Sequence, residues 1–172
     1  MPAVLALCLL AGCGSSSSST ATTTATTAAA PTKAEYVARA NAICAAAAPQ
    51  TGKLLGELEG ATTAALKGPS ASGAAQLEAL VVKLRGSAQT VLGLLEGIKQ
   101  PTGDQAAIEQ FLMPLAHAIA GLGVAAKAIT TGHASQALGS LLELRSKTPQ
   151  LASAAQAAGL TKCEGVLSGS PG

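Results

Sequence analysis

The stretch Leu77-Glu78-Ala79-Leu80-Val81-Val82-Lys83-Leu84-Arg85-Gly86-Ser87-Ala88-Gln89-Thr90-Val91-Leu92-Gly93-Leu94-Leu95-Glu96-Gly97-Ile98 decides the fold. Leu77, Val81, Leu84, Ala88, Val91, Leu95 and Ile98 recur in strict four-three alternation, which puts all of them on one side of an α-helix. Leu80, Leu92 and Leu94 widen that stripe. Lys83, Gly86, Gln89, Gly93 and Glu96 fall on the other side and are expected to face water.

The same grammar extends in both directions. Upstream, beyond the turn Gly68-Pro69-Ser70, Thr32-Lys33-Ala34-Glu35 forms a capping box that starts a first helix. Tyr36, Ala40, Ile43 and Ala47 share one face of it, and Leu54, Leu58, Ala61 and Ala65 resume after an apparent slip at Pro49, where a kink or short break is expected. Downstream, Pro101-Thr102-Gly103-Asp104 stops the quoted helix and starts a third, with Thr102 or Asp104 as its cap. Ile108, Leu112, Leu115, Ile119, Leu122, Ala126 and Ile129 repeat the alternation, with Pro114 on the polar side. A fourth helix follows Gly132 through Ala137, Leu141, Leu144, Leu151 and Ala155, kinked at Pro149, and Gly159-Leu160 reads as a Schellman-type end. Four amphipathic helices joined by short turns predict an all-α, up-down-up-down four-helix bundle. At ~1.5 Å per residue, the fourth helix returns to the level of Ala42, so Cys163 falls near Cys44 and the first two turns of the first helix project beyond the bundle.

Composition sets the limits. Hydrophobic residues make up 48% of the 172, but aromatics only 1%, so the core must be aliphatic. A net charge of +2 gives no electrostatic case for nucleic acid, and Tyr36 and Phe111 alone offer no stacking platform for bases.

The front of the chain carries a localisation motif. An apolar run from Ala3 to Leu10 leads into Leu9-Leu10-Ala11-Gly12-Cys13, which resembles the lipobox of bacterial lipoproteins. The resemblance implies that residues 1–12 are a signal peptide removed on export. Cys13 then becomes the mature N-terminus and carries diacylglycerol, with acyl chains such as palmitate. At ~0.8 kcal/mol per buried CH₂, two such chains contribute over ~20 kcal/mol to membrane attachment. The apolar run is too short for a spanning helix, which needs ~20 residues. No Lys or Arg precedes Cys13, although export signals begin with positive charge, so translation is expected to start upstream of Met1. Residues 13–32, almost wholly Ser, Thr and Ala, read as a disordered tether with a reach on the order of 25 Å. The bundle is expected over 33–165 and a disordered tail over 166–172.

Export sorts the cysteines. Cys8 leaves with the signal, Cys13 takes lipid, and Cys44 and Cys163 remain as a pair in an oxidising compartment, where a disulfide is expected. A second resemblance lies in Tyr36-Val37-Ala38-Arg39-Ala40-Asn41-Ala42-Ile43-Cys44 with Leu160-Thr161-Lys162-Cys163. It is similar to small Ala-rich secreted or lipid-anchored helical proteins of high-GC Gram-positive bacteria. That resemblance implies the disulfide and the export route, and no activity.

Reactive constellations were sought on this frame. A di-metal bundle needs Glu-x-x-His, and c-type haem attachment needs Cys-x-x-Cys-His; the sequence contains neither. His117 and His133 are isolated and read as surface residues. Gly165-Val166-Leu167-Ser168-Gly169 misplaces its serine for a nucleophile elbow. No cofactor and no metal ligand are expected, and an enzyme is the least favoured class. The sequence points instead to a structural or protein-interaction module at the cell envelope, bound to membrane lipid through Cys13 and to an envelope protein or cell-wall partner. The alternative is a carrier of an apolar small molecule, which requires a cavity of at least ~300 Å³. Val82 and Leu142, apolar on polar faces, mark where an interaction surface is expected.

Overall fold

The computed structural model describes residues 30–68 and 70–168. Among these residues the chain is all-helical: α1 (Lys33–Lys67), α2 (Ala71–Glu96), α3 (Gln105–Thr130), α4 (Ala134–Ala157) and α5 (Thr161–Ser168). The signal peptide, nearly all of the tether and the last four residues expected in the tail lie outside them.

Local chemistry sets the helix ends. The Thr32 hydroxyl accepts from the Glu35 amide at 3.2 Å, and Glu35 Oε2 accepts from the Thr32 amide at 2.8 Å, so the capping box forms as expected. The Thr32 amide, then the Thr32 hydroxyl donating to the same Oε2 at 3.0 Å, with a smaller contribution from Arg39, hold the Glu35 carboxyl below its ordinary range. Because the folded value is depressed, the cap is intact at neutral pH and fails only in acid, as pH falls through that lowered value. At the end of α4, Gly159 adopts φ +80°, the Leu160 amide donates to the Ala155 carbonyl at 2.7 Å, and the Gly159 amide donates to Gln156 at 2.9 Å. That is the Schellman pattern. Gly132 closes α3 in the same way, with the His133 amide on the Ala128 carbonyl.

The core forms two aliphatic clusters. One gathers Tyr36, Ala40 and Cys44 with Val91, Leu95, Ile108, Phe111, Leu151 and Cys163; the other gathers Leu54, Leu58, Leu77, Val81, Leu84, Leu122 and Ile129. In α3 every residue of the expected seam is buried, and in α2 only Ala88 of that seam is half-buried; Ile98, also half-buried, lies beyond the end of the helix at Glu96. Leu94, expected to widen the α2 stripe, is 53% exposed.

The structure departs from the sequence expectations in three places. First, α1 is one helix with Pro49 inside it. The seam never slips: it runs from Ala47 through Thr51 to Leu54 and Leu58, and Thr51 is buried although polar. Its hydroxyl stands 3.5 Å from that of Ser87 on α2, at the limit of a hydrogen bond. Thr51→Val should therefore shift stability by less than ~1 kcal/mol, read from the denaturant midpoint.

Second, there is a fifth helix. The tail expected from residue 166 instead continues α5 to Ser168, because Val166 and Leu167 pack on the first cluster and outweigh the weak helix propensity of Gly165. Third, the first turns of α1 do not project. Tyr36 and Ala40 are fully buried, α5 packs against α1 and α4, and Lys33 pairs with Asp104 at 2.8 Å. Asp104 sits at the N-cap of α3 as expected, but its side chain makes no capping bond.

Candidate functional site

Cys13, the expected lipidation site, lies outside the described residues. The other sequence-derived site residues, Cys44 and Cys163, meet as a disulfide with Cα atoms 4.8 Å apart across a sequence separation of 119. The helix-length argument thus placed Cys163 correctly. Both cysteines are 1% exposed, packed in the cluster that holds Tyr36, Ala40 and Leu160.

Around the disulfide the two quoted motifs close into a clasp. Asn41 projects from α1 and uses both ends of its amide: Nδ2 donates to the Gly159 carbonyl at 3.1 Å, and Oδ1 accepts from the Lys162 amide at 2.9 Å. The first amides of a helix have no intrahelical acceptor. Asn41 therefore caps α5 from another helix while satisfying the backbone of the α4–α5 turn. Val37 lies alongside, its Cγ2 3.3 Å from where a β-carbon on Gly159 would stand. A side chain at that position would meet both this contact and a positive φ, so the turn requires glycine.

Thiol–disulfide exchange needs an attacking thiolate to reach a sulfur. Here both sulfurs are covered, so the bond is built to hold rather than to react. Tyr36 packs beside it, fully buried, and its hydroxyl finds no protein partner. Burial pushes that hydroxyl's pKa up, so it stays protonated and neutral. Removing it leaves no partner stranded. Tyr36→Phe should thus leave stability unchanged or raise it by up to ~1 kcal/mol in chemical denaturation.

Elsewhere the described surface is grooved between helices. One groove, of about 400 Å³ between α2 and α3, is lined by Arg85, Gln89, Leu92, Gly93, Glu96 and Ile119, with Ala116 and Ala120. Another, of about 590 Å³ between α3 and α4, has Leu144, Leu151 and Ala154 at its base and Gln110, His117, Lys147 and Ser153 around it. His117 and His133 are exposed, as expected, and stand on separate elements; a ring nitrogen of His133 meets the Thr131 hydroxyl at 2.9 Å. Among the described residues no three His, Cys, Asp or Glu side chains gather as a metal site.

No family model, curated protein or solved structure matches this chain. The residue that sequence reasoning passed over is Asn41. Its only trace there is a polar side chain among the alanines before Cys44.

Proposed function

We propose that this chain is a lipid-anchored extracytoplasmic helical bundle that acts as a structural or protein-interaction module at the cell envelope, not as an enzyme. In this reading α1 to α4 run alternately up and down, α5 and the disulfide lock the membrane-proximal end, and the tether lifts the body off the lipid. The observation that supports an interaction role is exposed apolar surface. Val82, Met113, Val124 and Leu142 are each more than half exposed, and exposed apolar side chains that gather into a patch of several hundred Å² mark interaction sites. The alternative is carriage of an apolar small molecule, and the largely apolar groove of about 590 Å³ between α3 and α4 exceeds the ~300 Å³ it requires; a rise in thermal stability of the delipidated chain with a fatty acid would favour that reading.

Fractionation of a lipoprotein-processing bacterial host tests the proposal. The native chain should sediment with membranes and be digested by protease added to intact protoplasts, while Cys13→Ser should appear in the medium. Recovery of both forms in the cytosol would overturn it.

A further inference from the structure

We infer that the outward face of α2 and α3 is a two-fold contact surface on which a second copy of this chain docks. This goes beyond the proposed envelope role and does not depend on lipidation. Three observations converge on that face.

The first is its apolarity. Met113 and Val124 are 60% and 55% exposed on α3, and Val82 is 52% exposed on α2. At helical periodicity Met113, Ala116, Ala120 and Val124 share one side of α3, while Val82, Gln89 and Gly93 share the adjoining side of α2. The second is shape. The groove of about 400 Å³ runs along the middle of this face, with open space in front of Gly93, so another helix can approach closely.

The third observation, the charge pattern, selects the occupant. Arg85 and Glu96 stand about three turns apart on the same side of α2, at opposite ends of the groove. The Arg85 guanidinium lies against Gly123 of α3, with Cζ 3.3 Å from where a β-carbon would be. Lys127, about one turn past Gly123, stands at that same end; Glu109, about two turns before Ala116, stands at the Glu96 end. The face therefore carries two cations against one anion, Glu78 bonded to Thr130, toward one end, an apolar middle, and two anions against one cation, Lys99, toward the other. None of Arg85, Lys127, Glu96 and Glu109 joins an ion pair among the described residues. Farther out along α2 the signs alternate again, with Glu78 beyond Arg85 and Lys99 beyond Glu96.

A two-fold axis through the middle of the groove exchanges the two ends. It lays Arg85 and Lys127 of each copy over Glu96 and Glu109 of the other, and apolar centre on apolar centre. Isologous contacts require this self-complementarity. A parallel placement would stack like charges, and an anionic lipid surface would meet two carboxylates.

The full chain carrying Cys13→Ser, in which lipid cannot hold copies together, gives the test by sedimentation equilibrium up to about 1 mM. A species of twice the 16.6 kDa chain mass is expected. Arg85→Glu or Glu96→Arg alone should raise the dimer dissociation constant on the order of tenfold or more, since each reversal acts twice across the axis. The double reversal should restore dimerisation. Unchanged circular dichroism in each variant excludes unfolding as the cause. Met113→Asp, with its charges untouched, should also dissociate the dimer. A monomer at every concentration, a dimer indifferent to the single reversals, or a monomer that co-floats with phosphatidylglycerol vesicles would overturn the proposal.

Discussion

Replacing Cys44 and Cys163 together by serine should lower the stability of the folded domain by about 4 kcal/mol, the largest effect of any substitution considered for the fold. The cross-link spans a sequence separation of 119, and for loops of that length the chain-entropy model gives about 4 to 5 kcal/mol, because the unfolded chain regains its freedom when the link is lost. A second loss adds to this. The disulfide joins α5 to α1, and α5 is an eight-residue helix. So short a helix does not persist unsupported in water. Without the link, α5 is held by the packing of Leu160, Val166 and Leu167, by the Asn41 bonds and by the Gln156–Glu164 bond to α4. Urea unfolding of the native and double-serine chains checks this, and a midpoint shift equivalent to less than ~1 kcal/mol would show that the clasp is held by packing.

The second large effect belongs to Asn41. Asn41→Ala removes the acceptor of the exposed Lys162 amide and strands the part-buried Gly159 carbonyl, and an unmet polar group away from water costs about 1–3 kcal/mol. The change should also couple to the disulfide. With the link intact, α5 stays near α1 and water can reach the freed groups. In the double-serine background the same change removes the Asn41 tie between α1 and α5 as well as the covalent one, so the two losses should differ from a simple sum, as expected of neighbours sharing one element. A double-mutant cycle in urea reads this directly. Strict additivity would mean that Asn41 and the disulfide stabilise separate regions.

These effects explain what the sequence made legible and what it hid. The α2 and α3 seams were plain because Leu, Val and Ile occupy nearly every seam position, and period 3.6 then admits one reading. α1 was harder to read for one reason: Thr51 stands at a seam position, and a polar residue there looks like a shift of register beside Pro49. Leu94 shows the converse, an apolar residue close enough to the stripe to be assigned to it, yet left in water. α5 was hidden by Gly165 and by its brevity, since its helix forms against Tyr36 and Cys44, far away in the chain. Asn41 acts across a separation of 118 residues, and no local pattern announces such a bond. The pairing of Cys44 with Cys163 was legible by two routes, compartment and helix length, and the fold brings the two residues together.

The dimer face carries the same lesson in reverse. Lys127 and Glu109 look like ordinary solubilising charges in sequence, and only the packing of α2 on α3, with Arg85 against Gly123, brings them toward the ends of one groove. Under the proposed lipidation of Cys13, a folded body with such a face is suited to assembling at a membrane, where anchored copies are confined to two dimensions. Effective concentration there is high, so even a modest affinity would suffice for pairing.

The account rests on Cys13 and on the removal of what precedes it. Intact-mass spectrometry of the chain extracted from membranes tests this most directly. The account predicts a polypeptide that begins at Cys13, lacks residues 1–12 and carries the added mass of a diacylglycerol on that cysteine. A chain that retains Met1, or one that begins elsewhere with an unmodified Cys13, would contradict it.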